Sequence, residues 1–76
     1  MKTLKNIISE SVPELTYERL DECIFRLGVF CSHIEECEFE TITLKYNSEC
    51  NGFEIFSNGI DTDYTLFASN DYVEID

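Results

Sequence analysis

The hydrophobic period changes once along this chain, close to its midpoint. Before Gly28, apolar residues recur every three or four positions. Leu4, Ile7 and Ile8 share one face of a short helix, and Leu20, Cys23, Ile24 and Leu27 continue a second stripe. After Glu40 the period is two, with Ile42, Leu44 and Tyr46 alternating with Thr41, Thr43 and Lys45. Helices followed by strands, with no return to helix, predict an α+β fold. We expect two N-terminal helices packed on one face of a four- or five-stranded antiparallel sheet, as a single domain over residues 1–76.

The punctuation supports these elements. Thr3 can cap the first helix, and Pro13 disfavours helical geometry at Val12. Thr16 is an N-cap for the second helix, with Leu15 and Leu20 placed as a hydrophobic staple. Arg26 suits the last turn, and Gly28 is the expected terminator. Asn51-Gly52 marks a hairpin, Phe53–Ser57 a strand and Asn58-Gly59 its end. Tyr64–Ala68, an Asn70-Asp71 turn and Tyr72–Ile75 follow. Residues 29–40 fit either a loop or an extra strand.

Charge narrows the partners. Sixteen acidic residues stand against five Lys and Arg, for a net charge of −11. Such a surface repels nucleic acid and anionic membranes and attracts basic protein grooves. The 43% apolar fraction, with six Phe and four Tyr, is too high for a solvating tail. No apolar run of signal-peptide or membrane-span length follows Lys2 and Lys5, so we expect a soluble, intracellular protein acting in a cytoplasm, that of a host cell if phage-encoded. Cys23, Cys31, Cys37 and Cys50 are expected as free thiols. Cys31, His33, Cys37 and Cys50 contain no Cys-x-x-Cys pair and match no zinc module. No cofactor is expected.

Catalysis finds little support in these residues. There is one His, His33, and no Gly-rich phosphate loop. The second helix is more informative. At about 100° per residue, Glu18, Asp21, Glu22 and Phe25 share one face, opposite Leu20, Ile24 and Leu27. By base rate this is a solvated face with one stray aromatic. Its functional counterpart is a protein interface in which carboxylates one turn apart occupy donors that otherwise hold phosphates.

The segment from Glu10 to Asp21 resembles the motif of phage uracil-DNA glycosylase inhibitors. That motif is Glu-Ser-aliphatic, here Glu10-Ser11-Val12, then an aliphatic residue, Leu15, then two acids at helical spacing, Glu18 and Asp21. Met1–Ser9 is similar to the family's short first helix, Thr43–Glu49 to its second strand, Phe53–Asn58 and Tyr64–Ala68 to the next two strands, and Tyr72–Ile75 to the last. The resemblance implies a 1:1 inhibitor that is not an enzyme and is monomeric when free. Glu10, Ser11 and Val12 would enter the glycosylase's DNA groove and imitate phosphate, with Glu18 and Asp21 on its rim. The family's apolar pocket, which takes the aliphatic side chain that the enzyme inserts into DNA, would fall on Ile42, Phe53, Ile55 and Leu66, with Leu15 at its edge. Arg19, Glu22 and Glu14 stand where the family tends to have aliphatic pocket residues. A shifted helix register restores the pocket through Leu20, Cys23 and Ile24. Without that shift the pocket is smaller or the partner differs. Phe30–Glu40 has no counterpart in the family.

Two rivals share the electrostatics. One is a DNA mimic directed at another defence system, such as a CRISPR effector or a restriction enzyme, or at a nucleoid protein. The other is an immunity or antitoxin protein that neutralises a basic nuclease.

Overall fold

The computed structural model describes residues 2–76. Helix α1 spans Leu4–Ser11 and α2 spans Tyr17–His33. A 3₁₀ turn at Phe39–Thr41 leads into β1 (Ile42–Asn47), β2 (Gly52–Ser57), β3 (Ile60–Ala68) and β4 (Val73–Ile75). The four strands form one antiparallel sheet in the order β1-β2-β3-β4, with no fifth strand among the described residues. The α+β architecture is therefore as the change of period indicates.

Both helix starts form as their residues dictate. The Thr3 hydroxyl accepts from the Asn6 N–H at 3.2 Å, and the Thr16 hydroxyl from the Arg19 N–H at 3.3 Å. The end of α2 differs from expectation. Gly28 does not terminate it, and the helix runs five residues further to His33. A mid-helix glycine costs about 1 kcal/mol relative to alanine. Continuing the helix buries Phe30 and Cys31, and a buried Phe side chain alone is worth roughly 1.5–3 kcal/mol, so burial wins. Residues 29–40 are thus neither wholly loop nor strand: they are helix, a turn with Glu36 at φ 70°, and the 3₁₀ segment.

That turn carries a second correction. Cys31 and Cys37 are joined as a disulfide, with Cα atoms 5.2 Å apart, so only Cys23 and Cys50 are free. The bridge ties the last turn of α2 to the segment leading into the sheet.

The core lies between α2 and the inner sheet face. Leu20, Cys23, Leu27, Phe30 and Cys31 from α2 join Ile8 and Leu15 against Ile42, Leu44, Phe53, Ile55, Leu66 and Val73. Strand β3 is longer than the Tyr64–Ala68 expected. The two-residue Asn58-Gly59 turn has φ 53° and 75°, both positive as a tight type I′ hairpin requires, and it pairs Ile60 and Asp61 back onto Ser57 and Phe56. An irregularity follows opposite Ile55: Asp63 takes φ 66°, and the Thr62 hydroxyl donates to the Ile55 carbonyl at 2.8 Å. Tyr64 emerges from it edge-on to Phe30, ring centroids 5.0 Å apart. On the outer face Gly52 is obligatory, because a Cβ there would sit 2.6 Å from Thr65 Cγ2 and 2.9 Å from the Phe67 ring.

One long-range clasp fixes the helices to the end of the sheet. The Asn70 side chain accepts from the Thr16 N–H and donates to the Glu14 carbonyl, both at 2.9 Å. Arg19 Nε donates to the Asn70 carbonyl at 3.0 Å. Arg19 is therefore spent on the fold. At about 0.5–1.5 kcal/mol net per hydrogen bond, Asn70→Ala is expected to destabilise the protein by roughly 1–3 kcal/mol. Urea unfolding measures this, and Asp71→Ala, one residue on, serves as the comparison.

Candidate functional site

The Glu10–Asp21 segment folds as the end of α1, a turn and the first turns of α2. Glu10 lies in the last turn of α1, and the N–H of Val12 closes that helix on the Ile8 carbonyl at 2.9 Å. Pro13 then turns the chain. Glu10 is exposed, while Ser11 and Val12 are half-buried, and Val12 packs against the core. Glu18 sits in the first turn of α2, where a negative charge complements the helix dipole. Glu18, Asp21 and Phe25 are exposed, and Glu22 is half-buried.

These carboxylates are not all bare. Lys2 Nζ lies 2.8 Å from Glu10 Oε2, and Lys5 Nζ lies 2.6 Å from Asp21 Oδ1. Arg19 holds Glu22 Oε1 at 2.6 Å, with Arg26 3.9 Å from the other oxygen. The Lys5–Asp21 contact spans α1 and α2 at the exposed surface, and Ile8, with Leu4 and Ile7, packs α1 onto the core beside α2. Up to His33, five acidic residues stand against four Lys and Arg, whereas from Ile34 onward eleven stand against Lys45 alone. The helical half is nearly neutral, and the charge of the molecule comes from the sheet half. Part of it gathers around a recess of about 320 Å³ lined by Glu35, Glu36, Asp61 and the exposed Ile60.

The apolar residues do not form the single pocket expected of them. Phe53, Ile55 and Leu66 are 1, 0 and 0% exposed and offer a partner no surface. Leu20 and Leu15 are also buried, at the base of a groove shared with Lys5, Pro13, Tyr17 and Asp21. Ile24 and Ile42 instead line a different cleft of about 650 Å³, between α1, α2, the 3₁₀ turn and β1. Leu4, Ile7 and Phe39 complete its apolar lining, and Lys2 and Lys5 also line it. Leu20, Cys23 and Leu27 of α2 pack onto the sheet, and the cleft opens beside α1.

Some surface residues were not singled out by their sequence positions. Val29 is exposed one turn beyond Phe25, on the same face of α2. The i, i+4 spacing signals this pair once the helix is known to pass Gly28. Phe25 and Tyr17 are 69 and 88% exposed, so the helix carries aromatic surface among its acids. No group of three His, Cys, Asp or Glu side chains that could hold a metal forms among the described residues, and His33 is exposed at the end of α2. No described helix is long and apolar enough to cross a membrane.

No family model matches the chain, and no curated protein or solved structure does so either.

The thiols differ sharply. Burial, with the charge of Glu22 beside it, pushes the Cys23 thiol up from 9.0 to about 11. Cys50 is exposed in the β1–β2 turn. Native protein without reductant should therefore show one fast thiol, Cys50, and a second, Cys23, that reacts only on unfolding. A titration with a thiol-reactive dye reads both. Because the folded state raises the Cys23 value, its contribution to stability is complete below pH 9 and is lost as pH rises toward about 11. Cys23→Ala should remove that part of the alkaline destabilisation in urea melts taken across this window.

Proposed function

We propose that this protein is a stoichiometric inhibitor that occupies the DNA-binding groove of a uracil-DNA glycosylase. The observation that carries the reading is the acidic unit at the α1–α2 junction. Two capped helices, packed together on the core through Ile8, present Glu10, Glu18 and Asp21 in exposed positions. Carboxylate oxygens so held can accept from the Arg, Lys and backbone donors that bind phosphate. Two helices followed by antiparallel strands are also the order implied by the family that the Glu10–Asp21 motif resembles, although that family's first strand has no counterpart among the described residues. Within this reading the cleft beside Ile24 and Ile42 takes the aliphatic side chain that the enzyme inserts into DNA. The sheet half, with most of the charge, steers the encounter.

A second reading draws on a specific observation. Phe53, Ile55 and Leu66 are sealed in the core, so the pocket that distinguishes a glycosylase inhibitor is not built from them. A DNA mimic directed at another enzyme needs no such pocket.

Titrating the purified protein into a uracil-excision assay separates the two. Complete inhibition at one equivalent is expected, and no inhibition at large excess would reject the glycosylase as target. Charge reversal at Glu10 or Glu18 should weaken inhibition at least tenfold more than Glu74→Lys on β4. Equal losses would show diffuse attraction in place of a defined contact. Association should slow with added salt as steering is screened, while dissociation changes little if the cleft is occupied.

A further inference from the structure

Strand β1 pairs with β2 alone among the described residues, so one side of it is an open edge. The Asn58 N–H donates to the Thr41 carbonyl at 3.3 Å. Antiparallel bonding alternates by residue, so in this register Thr43, Lys45 and Asn47 bond to β2, while Leu44 and Tyr46 turn their N–H and carbonyl groups to the open side. No backbone hydrogen bond beyond the sheet takes up those groups among the described residues. The other edge strand, β4, is only three residues long. The cleft of about 650 Å³ reaches the β1 edge: Ile42 and Thr43 point to opposite faces of the sheet, yet both line it. Leu4, Ile7, Ile24 and Phe39 make the rest of its apolar wall. A leucine tip of four carbons, at roughly the 30 Å³ of a water molecule each, fills about 120 Å³ of such a space. One inserted aliphatic side chain therefore leaves most of the cleft empty.

We propose that an extended segment of a partner protein adds to β1 as a fifth, antiparallel strand, with apolar side chains at alternate positions in the cleft and a basic residue at each end. Backbone groups of the segment would bond Leu44 and Tyr46, which supplies affinity without a particular sequence. Residues two apart in a strand face the same way, about 7 Å from one another, so two or more side chains enter a cleft that one cannot fill. Charge sets the ends of the segment. β1 is the one strand of the four without Asp or Glu, while exposed Glu40 precedes it and exposed Glu49 follows it. A strand laid along β1 would end beside these two carboxylates, and the net charge of −11 draws a basic segment toward them. A second copy of this chain fits poorly, because it brings a further −11 and the same two acids to the ends of the pairing. This edge is distinct from the exposed carboxylates of Glu10, Glu18 and Asp21, and the proposal does not depend on the glycosylase being their target.

The test titrates the native protein with the capped hexapeptide Arg-Val-Thr-Val-Thr-Arg and follows amide NMR shifts. In an antiparallel addition the residues whose side chains enter the cleft are also those whose N–H groups meet Leu44 and Tyr46. N-methylation of the two valines therefore removes the donors, and N-methylation of the two threonines spares them. The valine-methylated peptide should bind about tenfold more weakly than the threonine-methylated one, as expected from two lost hydrogen bonds. Shifts should concentrate at Ile24, Ile42, Leu44 and Tyr46, and the Leu44 and Tyr46 amides should exchange more slowly with solvent. Phe39→Ser strips a partly exposed wall of the cleft and should weaken binding severalfold, whereas Tyr72→Ser, beside β4, should leave it unchanged. Equal affinities of the two methylated peptides, or shifts confined to Asp61 and Glu74, would overturn the proposal. A dimer of the peptide-free protein with the same two amides protected would put a second copy at the edge and overturn the basic segment as its occupant. No glycosylase enters the experiment, so rejection of that target leaves the result readable. Conversely, failure of the peptide would leave the glycosylase reading intact.

Discussion

The burial of the α2 apolar stripe against the inner face of the sheet is the contact on which everything else depends. A domain of this size buries only about 60% of the surface its unfolded chain exposes, and here carboxylate repulsion works against compaction as well. The stripe that answers this runs from Leu20 to Cys31 and meets Phe53, Ile55 and Leu66. Its length explains why Gly28 is absorbed into the helix. It also explains why Phe53, Ile55 and Leu66 present no surface beneath α2, since these side chains are needed as core.

That contact fixes the surface as well. With the apolar face of α2 turned inward, Glu18, Asp21, Phe25 and Val29 can only point outward. The Asn70 clasp and the Thr16 cap set where α2 starts, and the burial of Ile8 sets α1 beside it. The acidic unit is a consequence of the packing and does not depend on a flexible loop. The molecule then divides its electrostatic labour. The sheet half, carrying eleven acids and one lysine, generates the long-range field. The helical half is close to neutral and offers a small number of positioned oxygens.

The fold was legible because its strongest signals are local. Thr3, Thr16, Pro13 and Asn58-Gly59 each act through their own backbone, and the period-two run from Thr41 to Tyr46 needs no tertiary information to declare a strand. What escaped the sequence was decided by tertiary contacts. The end of α2 depended on burying Phe30, the start of β3 depended on a tight turn overriding two unfavourable Asp residues, and the Cys31–Cys37 bridge depended on where the helix stopped. The exposed acids of the site were visible as a helix face, but their ion pairs were not, because Lys2 and Lys5 reach partners 8 and 16 residues away. The apolar recess was misplaced for the same reason: alternation identifies the inner face of a sheet and does not say which part of it stays uncovered.

The claim that the α1–α2 junction is the binding surface is tested most directly by an NMR footprint. Isotope-labelled protein is titrated with unlabelled uracil-DNA glycosylase, and amide shifts are mapped along the chain. The largest changes should fall at Glu10, Ser11, Val12, Glu18 and Asp21, with a second group at Ile24 and Ile42 in the cleft. Changes concentrated around Glu35, Glu36 and Asp61, or no changes at all, would contradict the account.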